Sequence, residues 1–182
     1  MRSRLAGARY KHVLGVARMG EKLARRHGLS MQAARTAGML HDLAREWTAD
    51  DLLAYAREHR IAISEIEAAA PVLLHAAVGA DIARREFGVM DEDVLAAIAT
   101  HTVAVPGMSP LQKVVFLADS FEPSRTFAGR ASLEAAAMRS LDEGMLACVK
   151  ASMEYLLARG VPIAPQTLEV YNDLVRLHGQ TS

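Results

Sequence analysis

Four histidines and two aspartates stand where a helical protein would otherwise keep apolar residues: His12, His41, Asp42, His75, His101 and Asp119. His41 and Asp42 close the stretch Gly38-Met39-Leu40-His41-Asp42, where Ala33, Ala34, Ala37, Leu40 and Ala44 repeat at helical spacing. Asp119 ends the apolar run Val114-Val115-Phe116-Leu117-Ala118. An ionised carboxylate in such surroundings carries a large desolvation cost unless a cation meets it. A divalent metal ion is the economical candidate, because neutral imidazole and carboxylate are ligands for borderline-to-hard divalent cations. A single histidine on an apolar face reads as a hydrogen-bonded core residue. The whole set, with no comparable cluster of basic residues, points to one shared centre.

The elements that must position these groups all read as helices. The first is expected from Ala8 to His27, with Val13, Leu14, Ala17, Leu23 and Ala24 inward and His12 at the edge of that stripe. Gly28 terminates it, and His27 serves the helix dipole. Ser30 caps a second helix that carries His41 and Asp42 and stops before Trp47. Thr48 to Asp51 and Ser64 to Glu67 read as capping boxes, the second opening a short helix that Pro71 interrupts. The restarted helix puts Val72, His75, Val78, Gly79 and Ile82 on one face and closes at Gly88. Asp91 caps the helix leading to His101, a loop runs from Thr102 to Gly107, and Ser109-Pro110 opens the helix of Asp119. One long helix is expected from Ser132 to about Arg159, with Cys148 and Ser152 inward. Pro162 and Pro165 make a stiff turn before a last helix from Thr167 to Leu177, with His178 at its frayed surface end.

Composition agrees with packed helices. Hydrophobic residues make up 51% of the 182 and aromatics only 5%, so the core is built of Ala, Leu, Val, Ile and Met. With 21 basic and 21 acidic residues, formal net charge is +0, which argues against a DNA- or RNA-coating surface. Cys148 is the single cysteine, so no internal disulfide forms and a reducing, cytoplasmic setting is expected. Residues 1 to 6 hold no apolar run of signal-peptide type, and nothing approaches a membrane span. No repeat or linker divides the chain. The outer faces of the last two helices are apolar enough to pack on a second copy, although core burial accounts for them equally well.

The order and context of these residues resemble the HD-domain metal-dependent phosphohydrolases, most closely the YqeK-type branch of symmetrical diadenosine tetraphosphate hydrolases. The resemblance rests on Tyr10-Lys11-His12-Val13-Leu14-Gly15-Val16, Gly38 to Asp42, Leu74-His75, His101-Thr102 and Met108-Ser109. It continues through Leu117-Ala118-Asp119, Glu122-Pro123-Ser124-Arg125 and Pro165-Gln166-Thr167-Leu168-Glu169. It implies an all-α fold, a single HD-domain bundle over 1–182. It implies that His12, His41, Asp42 and Asp119 hold an iron-like ion, with manganese as the alternative. His75 and His101 then complete a second metal site or contact phosphate, and the sequence leaves one ion or two open.

By the same resemblance the substrate is a dinucleoside polyphosphate, with diadenosine tetraphosphate split into two ADP by a metal-activated water. The four residues of the first site also face substrate, with Asp42, Arg45, His75 and His101 at the reacting bond. Arg45 follows His41 by four positions and so rises on the ligand-bearing face, where it can bind phosphate. Arg125 is a second phosphate clamp and Thr102 a hydrogen-bond donor. Pro162, Ile163, Ala164, Pro165, Gln166 and Thr167 border the nucleotide. The alternatives are another nucleotide phosphohydrolase of the superfamily, such as a nucleotidase, or a non-catalytic sensor of nucleotide or metal. Against a ferritin-like store, no Glu has a His three residues later.

Overall fold

The computed structural model describes residues 7–127 and 129–179, the side chains of 178 and 179 excepted. The readings of residues 1 to 6 and of the His178 side chain lie outside the described residues. Among the described residues there are ten α-helices, one 3-10 turn and no strand. In chain order they are α1 (Gly7–Arg26), α2 (Met31–Leu40), α3 (Ala49–Glu58), α4 (Glu65–Ala69) and the 3-10 turn Pro71–Leu74. Then come α5 (His75–Phe87), α6 (Glu92–Ala99), α7 (Pro110–Phe121), α8 (Arg130–Arg139), α9 (Leu141–Ala158) and α10 (Pro165–Gly179).

Local chemistry sets most of these starts. Ser30, Thr48, Ser64, Asp91 and Ser109 hold extended backbone and accept a hydrogen bond from an N–H in the first turn that follows. Ser64 and Ser109 form full capping boxes with Glu67 and Gln112. At Thr48 the expected box is incomplete. Asp51, a methylene shorter than Glu, takes the Thr48 hydroxyl proton at 2.7 Å, not its backbone N–H. Gly88, at φ 66°, closes α5 in the left-handed conformation.

The expected long helix from 132 to 159 is two helices. Ser140 adopts φ −148° and ψ 138° and caps α9 through the N–H groups of Asp142 and Glu143. The chain folds back there so closely that a Cβ on Gly144 would lie 2.7 Å from the Ala137 Cα. Ser152, expected inward, is exposed, whereas Cys148 is buried. The last helix begins at Pro165, two residues before the expected start, because proline at a first helical position needs no N–H partner. His27 falls just past α1, and its Nε2 lies 2.7 Å from the Ala137 carbonyl; it ties α1 to α8.

Helices α1, α2, α5, α6 and α7 surround one core, with Leu23, Leu74, Ile82, Ile98, Leu117 and Phe121 fully buried. Helix α3 covers the 3-10 turn and α5, while α8 and α9 pair with each other and lie on α7, and α10 lies on α9. Tyr155, Leu157, Leu168, Val175 and Leu177 on α9 and α10 stay exposed, so core burial does not account for them. No described helix is long and apolar enough to cross a membrane.

A close backbone contact sets the distance between the first two helices. A Cβ on Gly38 would lie 2.8 Å from the Ala17 Cα and 3.0 Å from its backbone N. Gly38→Ala gains about 1 kcal/mol of helix propensity but meets backbone that cannot rotate away, at an overpacking cost of about 1–3 kcal/mol. Because the clash is with backbone, the cost falls in the upper part of that range, and the expected net loss of about 1–2 kcal/mol lowers Tm by roughly 2–8 °C in thermal unfolding. An unchanged or higher Tm contradicts this account of the α1–α2 contact.

Candidate metal centre

Three of the four histidines are held by one local device. His41 caps the C-terminus of α2, and its Nδ1–H donates to the Gly38 carbonyl at 2.8 Å. His101, just past α6, donates to the Ile98 carbonyl at 2.7 Å, and His75, at the end of the 3-10 turn, donates to Val72. Each acceptor lies three residues back; for His41 and His101 it is a carbonyl of the last helical turn, where partners run out, and the Val72 carbonyl accepts the His75 backbone N–H as well. His12 sits within α1 and has no such carbonyl; its Nδ1 faces the Glu122 Oε1 at 3.1 Å. Glu122, only 1% exposed, is fixed by the Ser124 N–H at 2.9 Å and by the Ser124 hydroxyl. Gly15, one turn from His12, leaves the space that the Glu122 carboxylate fills. With every Nδ1 engaged, every Nε2 turns inward with its lone pair free.

Those nitrogens converge on the two aspartates. His12 Nε2 lies 3.1 Å from Asp119 Oδ1 and 3.6 Å from Asp42 Oδ2, and His41 Nε2 lies 3.8 and 3.5 Å from the same two oxygens. The other Asp42 oxygen, Oδ1, is 3.3 Å from His75 Nε2 and 3.7 Å from His101 Nε2. Asp42 therefore faces two donor sets, one through each oxygen. Ligands at about 2.0–2.2 Å from a shared ion stand about 2.8–3.6 Å from their neighbours in octahedral or tetrahedral geometry, so separations of 3.1 to 3.8 Å need only small side-chain shifts to close on a metal.

The polar groups themselves test the fit. His12 Nε2 and His41 Nε2 are buried with no hydrogen-bond partner. His75 Nε2 and His101 Nε2 face each other at 3.1 Å, although both rings already donate from Nδ1. Two lone pairs at that distance call for a cation, or a shared proton, between them. The desolvation argument of the sequence fares differently. Asp42 accepts from Arg9 Nη1 at 2.8 Å, and Asp119, which is only half-buried, accepts from Arg125 Nη2 at 2.7 Å. Each carboxylate has a counter-charge, and the unpartnered imidazole nitrogens become the stronger argument for a metal.

Electrostatics leave the cluster ready for a cation. Burial pushes both aspartyl groups up, but His101 and His75 around Asp42 outweigh it, as do His12, His41 and Arg125 around Asp119. Both carboxylates are held well below their ordinary range. Burial lowers His12, yet Asp119, Glu122 and Asp42 together raise it above 6.5. Burial, reinforced by His101, drives His41 down to about 4.

The structure thus gathers His12, His41, Asp42, His75, His101 and Asp119, and brings Arg125 onto Asp119. Among the described residues no side-chain hydrogen bond or ion pair joins Arg45, Thr102 or residues 162–167 to that cluster; Arg45 is tied to it only through its backbone N–H, which donates to the Asp42 carbonyl at 3.1 Å. Arg45 is half-buried and has no carboxylate partner there. Residues 162–164 form the expected connection, but 165–167 are the first turn of α10. Sequence reasoning missed Arg9 and the anchoring role of Glu122. Arg9 precedes His12 by three positions and so shares its helical face, which is a readable signal. Glu122 gives none, since its partner is 110 residues away.

The His41 shift has a measurable sign. An unfolded chain protonates residue 41 near its ordinary 6.5, while the folded chain resists until about 4. Chelator-treated protein should lose stability as pH falls from 6.5 to 4, by on the order of 3 kcal/mol from this group. His12 acts oppositely; its contribution is full below 6.5 and is lost as pH rises through its higher folded value. Denaturant unfolding between pH 4 and 6.5 should show a shallower decline for His41→Gln than for the parent.

Comparison with known proteins agrees with this geometry. Residues 9–124 match the HD domain family. A symmetrical bis(5'-nucleosyl)-tetraphosphatase of Halalkalibacterium halodurans is 36% identical over 167 residues, 92% of this chain and 89% of that one. The protein of the same name from Bacillus subtilis is 34% identical over 175 residues, 96% of this chain and 94% of the relative. A crystal structure of a "predicted HD superfamily hydrolase involved in NAD metabolism" from Clostridium acetobutylicum superposes with a TM-score of 0.92 at 31% identity. It covers 96% of this chain and 92% of its own, so α8 to α10, beyond the matched domain, belong to the shared architecture. On these grounds the chain belongs to the HD-domain family.

Proposed function

We propose that this chain is a metal-dependent phosphoanhydride hydrolase that cleaves dinucleoside polyphosphates, taking diadenosine tetraphosphate symmetrically to two ADP. The observation that carries the reading is Asp42, whose two oxygens each face a pair of imidazoles. The named activity of the Halalkalibacterium and Bacillus relatives, aligned over nine-tenths of this chain, supports the substrate.

In this reading His12, His41, Asp42 and Asp119 hold one ion. His75 and His101 complete a second site with the other Asp42 oxygen or, with a single ion, meet phosphate. A hard-to-borderline set of imidazoles and carboxylates without thiolate suits iron, with manganese next. When bound, such an ion supplies Lewis acidity to a phosphoryl oxygen and makes water a usable nucleophile at neutral pH. The chain's own residues do the rest. Arg9 and Arg125 already lie 2.8 and 2.7 Å from the ligand carboxylates, so each can exchange that oxygen for a phosphate oxygen. Arg45 supplies a third positive charge against the tetraphosphate, Thr102 a hydrogen bond, and residues 162–167 a rigid border for the nucleoside. The whole of 1–182 acts as one unit in the cytoplasm, without nucleic-acid or membrane partners. Balanced charge supports that view.

Three experiments check the proposal. Purified anaerobically, the protein should contain iron or manganese and convert diadenosine tetraphosphate to ADP alone, resolved by chromatography. AMP and ATP in equal amounts, or action on nucleoside monophosphates only, contradict it. Asp42→Ala should lose metal content and turnover together, by at least about 10²-fold in kcat. Arg125→Ala should keep its metal and raise KM about tenfold, the cost of one charge-assisted hydrogen bond.

A further inference from the structure

Symmetrical cleavage of a dinucleotide leaves one nucleoside on each side of the reacting bond, and the proposed function accounts for only one. Arg125 and residues 162–167 serve the half of the substrate beyond Asp119. On the opposite side, where Asp42 Oδ1 meets His75 and His101, the chain leaves the centre through residues 41–46 and arrives at Trp47. Trp47 is 37% exposed, so part of its indole is open to solvent. It is also held in place. Its ring packs edge-to-face on Tyr55 at 5.4 Å, and Tyr55 stacks on His59 at 4.0 Å with 24° between the planes. The Tyr55 hydroxyl donates to Asp81 on α5 at 2.9 Å, and Arg85 pairs with the same carboxylate.

From this we infer that Trp47 is the stacking platform for the second nucleobase, in a subsite completed by Arg45. The inference rests on the dinucleotide reading above. The segment from Asp42 to Trp47 runs through successive i to i+3 bonds, Arg45 N to Asp42 O and Trp47 N to Ala44 O, both at 3.1 Å. At about 2 Å of rise per residue, five residues carry Trp47 roughly 10 Å from Asp42. That span is comparable to the reach from a β-phosphate to its own base. Arg45 stands between them in the chain, half-buried and with no carboxylate partner among the described residues, and in this reading it meets the phosphate that joins the two. Helix α3, which carries Tyr55, packs on the 3-10 turn that leads into His75, so the aromatic ladder borders the same side of the centre. Anchoring through Asp81 means that the indole gives up little side-chain freedom when a base covers its open surface. Any base has a π-face, so the platform selects for a nucleoside and against inorganic polyphosphate, with little choice among bases.

The metal-loaded protein with three ligands tests this. The substrates are diadenosine tetraphosphate, adenosine 5'-tetraphosphate, which carries one nucleoside, and inorganic tripolyphosphate. Trp47→Ala should raise KM for the dinucleotide about five- to twentyfold with kcat nearly unchanged, and leave adenosine tetraphosphate almost unaffected. Trp47→Phe, which keeps a stacking face and the contact with Tyr55, should restore most of the loss. Trp47 is the single tryptophan of the chain, so its fluorescence reports on the subsite directly. The dinucleotide should quench it and tripolyphosphate should not. Equal KM values for parent and Trp47→Ala, an equal rise with both nucleotides, or quenching by tripolyphosphate overturns the subsite and leaves the hydrolase reading standing. No dinucleotide turnover by the parent fails the hydrolase reading instead, and the quenching experiment still decides whether a base reaches Trp47.

Discussion

An imidazole aims one nitrogen inward only if the other has a partner, and this constraint organises the molecule. Three of the four histidines meet it with a carbonyl three residues back at the end of their own helical element. Helix ends carry such carbonyls in any case, so no further buried polar group is needed. The cost is architectural, because those helices must stop with their ends around one point. The turn after α2, the break before α5 and the loop after α6 are therefore parts of the centre as much as connections. His12 comes from the middle of a helix and needs an acceptor imported from α7. Glu122, Ser124 and the missing side chain of Gly15 together supply it.

Charge is arranged with the same economy. Asp42 and Asp119 bring two negative charges to a site that also holds four imidazoles, and an arginine leans on each from the solvent side. Such a site is not a closed structural cage. Arg9 and Arg125 occupy positions from which an incoming anion can draw them away without unfolding anything, since both keep part of their surface in water. The arrangement that stabilises the carboxylates is in this way also the one that receives phosphate.

Much of this was legible in the residues and some of it was not, for separable reasons. Capping residues act over three or four positions, so Ser30, Ser64, Asp91 and Ser109 could be read directly, and with them the elements that carry the histidines. Thr48 showed the limit of pattern, since Asp and Glu look alike in a capping motif yet differ in reach. The break at Ser140 escaped because apolar spacing runs on through it. Only the close approach of Gly144 to Ala137, a contact between two helices, shows why the chain bends there. The aspartates were correctly placed beside the histidines, but the inference that they lacked counter-charges overlooked Arg9. Long-range partners of single residues, such as Glu122 for His12, leave no local trace.

Gly38 joins two properties that are usually separate. Its absent side chain lets α1 and α2 touch backbone to backbone, and its carbonyl orients the His41 ring. Docking those helices brings donors from both to one place before any ion arrives, so little conformational entropy remains to be lost at the moment of capture. By mass action, a metal that binds only this folded arrangement must hold the fold together in return. Thermal stability and metal supply would then rise and fall together, and the protein would survive best in the cells that can keep it loaded.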